Sequence, residues 1–111
     1  MVLGNYVILQ EGVPTKMHFT DHWIETRTIT DPLTGRTKQV RALVFQVAEL
    51  NGAPVVAYYS TISERHALQF APYLEGKKYR VMNFTVTMLG SGFAREWQVK
   101  VEPRGGPPPP H

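Results

Sequence analysis

The sequence predicts a small, mainly β domain. Five antiparallel strands close into a barrel, one helix lies between the third and fourth strands, and an extra strand precedes them. Three observations carry that expectation. Runs rich in Thr, Val, Ile and aromatic residues recur with turn signals between them, at Asp31–Arg36, Asn51–Gly52 and Gly90–Ala94. The apolar spacing becomes helical only once, at Ala67, Phe70, Ala71 and Leu74. The 111 residues, 42% hydrophobic and 19% charged, suit one domain with one core.

Each element has its own justification. Residues 5–10, NYVILQ, form a short apolar run and read as the extra strand. Residues 16–30 are rich in Thr, Ile, Trp and Phe and read as one long, bent strand. DPLTGR then signals a turn, with Pro32 preset for it and Gly35 free to take positive φ. Residues 37–50 form the second long strand. Asn51–Gly52 is a hairpin signal because both residues tolerate left-handed backbone. The third strand covers residues 55–61. Thr61 and Glu64 have the spacing of a capping box, so the helix is expected to start there. Pro72 is expected to end or kink it, and Gly76 to close the segment. Residues 77–88 and 95–101 are the last two strands, joined through LGSGF. In the final strand Trp97, Val99 and Val101 alternate with Glu96, Gln98 and Lys100, which predicts one buried face.

A three-strand meander, a helix and a two-strand hairpin is the element order of the five-stranded OB barrel. The expected domain covers residues 1–103. The remainder, RGGPPPPH, is expected to be a flexible, proline-rich tail with nothing to bury. Twelve Lys and Arg against nine Asp and Glu leave +3, a surplus that permits an anionic partner without requiring one. The absence of cysteine excludes a disulfide framework and thiolate metal sites, and fits a reducing, cytoplasmic compartment. The first residues lack a basic leader followed by a long apolar run, so neither a signal peptide nor a membrane partner is expected.

With DPLTGRTKQVR and GSGFAREW in those loops, residues 16–102 resemble small OB-fold proteins of archaea and their viruses that bind single-stranded DNA. The resemblance implies a ligand path across the second and third strands, between the loops at Asp31–Arg36 and Gly90–Ala94. The residues themselves support such a path. Non-specific strand binding needs cations for phosphates and aromatic faces for bases. Arg27, Arg36, Lys38 and Arg41 cluster around the first hairpin. Phe93 and Arg95 sit at the last one, where a turn has no need of an aromatic ring. Tyr58 and Tyr59 are adjacent in a strand, so one faces the core and the other faces out, and the alternation leaves open which. Trp23 is open in the same way, with an inward ring as the simpler reading. Phe45 and Trp97 read as core.

Other chemistries have less support. His18 and His22 are four apart, but on a regular strand that puts them about 13 Å apart on one face, too far to share a metal. No nucleophile elbow, HExxH or phosphate loop occurs, so neither enzymatic activity nor a cofactor is expected. The expected partner is single-stranded DNA or RNA. A homo-oligomer formed by edge pairing stays open. The competing reading is an adaptor whose sheet edge and proline tail engage another protein. A small enzyme with a site assembled from scattered carboxylates is a third.

Overall fold

The computed structural model describes residues 2–3, 5–90 and 94–104. The chain is mainly β. Its strands are β1 (Val2–Leu3), β2 (Tyr6–Val7), β3 (Thr15–Thr30), β4 (Thr37–Leu50), β5 (Ala53–Thr61), β6 (Met82–Leu89) and β7 (Glu96–Pro103). Helix α1 (Glu64–Phe70) and 3-10 turns over Ala71–Tyr73 and Glu75–Val81 connect β5 to β6. The strands make one curled sheet in the order β1-β2-β5-β4-β3-β6-β7. Every neighbouring pair is antiparallel except the brief contact of β2 with β5.

The β4–β5 turn follows from its two residues. Asn51 and Gly52 have φ of 52° and 86°, the left-handed geometry that Asn-Gly supplies at low cost. The Asn51 side chain also accepts a hydrogen bond from the Lys16 amide at 2.9 Å, which ties the turn to β3. Gly35 adopts φ 71° in the β3–β4 turn, where Asp31 accepts bonds from the amides of Gly35 and Leu33.

A bulge in β3 decides which face each later residue occupies. Phe19 pairs with Val47 but Asp21 pairs with Gln46, so Thr20 is an extra residue. Before it, Thr15, Met17 and Phe19 point into the core. After it, the inward positions become His22 and Ile24, opposite Phe45 and Leu43. Trp23, inward on a regular strand, therefore points outward. His18 and His22 end on opposite faces rather than on one. His18 Nε2–H donates to the Arg80 carbonyl at 2.8 Å, and His22 Nδ1 bonds the Tyr79 hydroxyl at 2.6 Å.

The helix starts two residues later than the Thr61 capping box implied. Ser63 is the cap, its hydroxyl accepting from the His66 amide at 3.2 Å, and Thr61 instead holds the Ser63 amide. Pro72 falls in the first 3-10 turn and ends regular helix. The next strand also starts late, at Met82 rather than residue 77. Gly76 and Lys77 take left-handed backbone, with φ of 70° and 52°, and the following turn drives Tyr79 into the core. An ion pair between Lys77 and Asp21 (2.8 Å) and a bond from Arg80 Nε to the Thr20 carbonyl fasten this turn to the bulge.

The core lies on the concave side. Phe19 stacks on Phe45 with ring centroids 4.1 Å apart, and Phe70, Tyr79 and Phe84 pack around the pair. Val99, Val101 and Trp97 face this cluster from β7, as their alternation predicts. Among the described residues, no backbone pairing joins β5 to β7. Side chains span the gap instead. The Tyr59 hydroxyl donates to His66 Nε2 (2.7 Å), His66 Nδ1–H donates to Gln69 Oε1 (2.6 Å), and Gln69 Nε2 donates to the Trp97 carbonyl (2.8 Å). The imidazole also stacks on the Trp97 ring at 4.7 Å. His66 is thus fully buried and links three elements.

The domain boundary moves by one residue. Arg104, placed by sequence in the tail, makes a bidentate pair with Glu49 at 2.8 and 3.0 Å and reaches Asn83 Oδ1 at 3.1 Å. Its amide also bonds the Val81 carbonyl. Residues 105–111 lie outside the described residues. Near the N-terminus only Tyr6–Val7 of the expected 5–10 strand is regular, paired beside Tyr58 on β5.

Candidate nucleic-acid interface

The outward face of β3, β4 and β5 carries an organised layer of side chains. Its floor is β4, where Ala42 and Val44 are fully buried although they point away from the main core. Val44 pairs with Trp23 on one side and Ser60 on the other, and Ala42 pairs with Glu25. Small residues on the central strand let long ones from the flanking strands meet above it. Arg27 on β3 reaches over β4 to donate to Ser60 Oγ on β5 at 3.1 Å. Trp23 and Tyr58 meet across the same strand, edge to face, with centroids 5.8 Å apart. Tyr6, held on β2 beside β5, lies 5.8 Å from Tyr58, and the Arg27 guanidinium sits 5.5 Å from its ring centre.

Glu25 fixes the electrostatics of this layer. Its carboxylate accepts from Trp23 Nε1 at 2.9 Å and from Arg27 Nε at 3.1 Å. These two bonds, the indole's first, hold its pKa below the usual carboxylate range. Arg27 is therefore not a free phosphate cation: its donors go to Glu25, Ser60 and the Tyr6 hydroxyl. What remains open is aromatic. Trp23 keeps 38% and Tyr6 36% of its surface exposed.

The remaining sequence candidates divide by location. Tyr58 faces outward, half-buried. Tyr59 faces the core, 4% exposed, and burial raises its phenol pKa, so it offers no surface to a ligand. Arg36 and Lys38 are exposed near the end of the β3–β4 hairpin, beside a cleft of about 560 Å³ lined also by Ile29, Asp31 and Pro32. Lys38 pairs with Ile29 on the side that carries Trp23 and Arg27. Arg41, opposite Thr26, points the other way. Arg95 is exposed at the mouth of a cleft of about 440 Å³ between β5 and β7, walled by Val7, Leu9, Met88 and Trp97. A smaller cleft formed by Tyr6, Val7, Ile8, Arg27 and Ser60 adjoins it, sharing Val7, Ile8 and Ser60. Phe93 lies outside the described residues. Of the nine candidates, the fold thus brings Trp23, Arg27 and Tyr58 into one layer, with Lys38 and Arg36 further out along the hairpin and Arg95 to the side, at the cleft between β5 and β7.

Tyr6, Glu25 and Ser60 belong to the same layer and were missed in the sequence. Glu25 alternates with Trp23 and Arg27, a local signal that could have marked it. Tyr6 had none, because its place depends on pairing with a strand about fifty residues away. Among the described residues, no three His, Asp or Glu side chains converge as a metal site. No described helix is long and apolar enough to cross a membrane. No family model, curated protein or solved structure matches the chain.

Proposed function

We propose that this protein binds single-stranded nucleic acid, DNA in the first instance, on the outward face of β3, β4 and β5 and with little sequence preference. The observation that carries the proposal is the outward Trp23–Tyr58–Tyr6 layer, with Lys38 and Arg36 further out along the hairpin and Arg95 to the side, at the cleft between β5 and β7. Bases stack on the rings and phosphates run toward the cations. Glu25 repels phosphate, which favours bases over the centre of the layer. The strand order β5-β4-β3-β6-β7 supports an OB-type barrel with the closing contact between its third and fifth strands left open, in keeping with the resemblance to small single-strand-binding proteins. The proposal carries no cofactor or catalytic step and a cytoplasmic setting.

Fluorescence anisotropy with labelled single strand and matched duplex tests it. Single strand is expected to bind more tightly, because stacking needs exposed base faces. With Arg36, Lys38 and Arg95 on phosphates, log K is expected to fall against log salt with a slope of about −2, at about 0.7 per contact. A flat titration would sink the proposal. It would favour the adaptor reading, for which β7 offers a sheet edge with no neighbour on its far side among the described residues.

A further inference from the structure

The β3–β4 hairpin extends well beyond the rest of the sheet. The last pairing of β4 with β5 joins Leu43 to Thr61, yet β3 and β4 stay paired through Thr30 and Thr37. The molecule measures 63 × 29 × 25 Å, long in one direction. A two-stranded ribbon with both faces in water is marginal by itself, so an arm of this length calls for something to lie against. Its charge says what. From Glu25 to Arg41 stand four cations, Arg27, Arg36, Lys38 and Arg41, against two acids, Glu25 and Asp31, with Glu25 paired to Arg27. That surplus of two makes up most of the chain's formal net charge of +3. Two such arms repel each other, and a polyanion attracts them.

The two faces of the arm narrow the choice. Lys38 shares a side with Trp23 and continues the single-strand path. Arg41 lies on the opposite side, with Thr26, Thr28 and Gln39 at neighbouring positions, all exposed. A strand lying on one face cannot reach it. A duplex groove has a wall of phosphates on each side. A ribbon seated edgewise between those walls is about 10 Å thick, the usual face-to-face spacing of sheets, and the major groove of B-form DNA is about 12 Å wide. One face would then meet each wall, Lys38 one and Arg41 the other, with threonine hydroxyls beside Arg41 as further donors.

We infer that the arm is a duplex-binding element, and that the protein recognises the junction where a duplex gives way to a single strand. The inference rests on the single-strand reading of the outward face. The arm enters the major groove of the duplex, and the strand leaving the junction crosses Trp23 and Tyr58.

Anisotropy with three labelled DNAs tests it: a single strand of about 12 nucleotides, within the range of one such fold, a blunt duplex of about 15 base pairs, longer than one helical turn, and that duplex with the single strand as an overhang. The junction is expected to bind at least about tenfold tighter than the single strand. It should also show a steeper salt dependence, by about 0.9 for each added duplex phosphate. Arg41→Glu should remove that preference and leave single-strand affinity unchanged. Lys38→Glu should weaken both. Equal binding of junction and single strand overturns the inference alone. So does an Arg41→Glu loss that is the same on both DNAs. Failure to bind single strand at all overturns the reading of the outward face. If light scattering instead finds a dimer without DNA that Arg41→Glu dissociates, the arm pairs with a second copy and the inference is wrong.

Discussion

Tyr58 and Tyr59 offer a controlled comparison, because adjacent residues of one strand have been given opposite tasks. Tyr58→Ala removes a ring from the outward layer. The expected loss of single-strand affinity is about 1–3 kcal/mol, the range for one stacked base, or about 5- to 150-fold in Kd. Tyr59→Phe keeps the ring and opens no cavity. It removes only the hydroxyl that His66 Nε2 accepts from, inside a site with no exposure. An unpaired buried acceptor costs about 1–3 kcal/mol. At about 4–6 °C per kcal/mol for a domain of this size, Tm should drop by about 4–18 °C with affinity unchanged. Thermal unfolding and anisotropy on the two variants give all four numbers. The assignment of faces to functions fails if Tyr58→Ala binds like the parent, or if Tyr59→Phe loses affinity while keeping its stability.

Two further outcomes follow from the polar contacts. Burial holds the His66 pKa below its ordinary value of about 6.5, against a smaller opposing effect of the Gln69 bond. The unfolded chain therefore binds a proton that the folded chain resists, so stability is expected to fall as pH drops below about 6.5. His22, lowered chiefly by burial, acts in the same sense. Replacing His66 with Gln should flatten the His66 share of that slope in urea titrations from pH 7 to 5, and an unchanged slope would contradict it. The second outcome concerns the C-terminal boundary. A chain ending at Arg104 should unfold like the full protein, whereas one ending at Pro103 should be less stable, having lost the Glu49 and Asn83 contacts. Equal stability of the two would remove the case for Arg104 as part of the domain.

Much of the architecture was legible because alternation and turn chemistry are local. Trp97, Val99 and Val101 announced their face by their neighbours, Asn51–Gly52 announced its turn, and the helix lay where the period changed. Features set by distant partners were hidden. Nothing near Tyr79 distinguished a core tyrosine in a 3-10 turn from one in a strand, because Gly76 and Lys77 turn the chain only in concert with Asp21 and the bulge. Nothing local to His66 marks its partners, because Tyr59 and Trp97 reach it only through folding. The basic cluster was correctly located as a hairpin, but not its division between two faces, which depends on the register of β3. Arg27 illustrates the limit for the candidate site: its charge was visible, and its commitment to Glu25, Ser60 and Tyr6 was not.

The extra residue at Thr20 has a consequence for how this protein can change. It acts as a parity bit for the whole of β3 beyond it. Delete that one residue, and each later side chain that keeps its place along the strand is sent to the other surface: Trp23 and Arg27 toward the concavity, His22 and Thr26 toward the outside. Substitutions in the arm can adjust chemistry one residue at a time, whereas a length change at position 20 exchanges both surfaces at once. The outward layer is thus protected less by the identities of its own residues than by a count of residues kept just upstream, where Arg80 grips the Thr20 carbonyl and Lys77 grips Asp21.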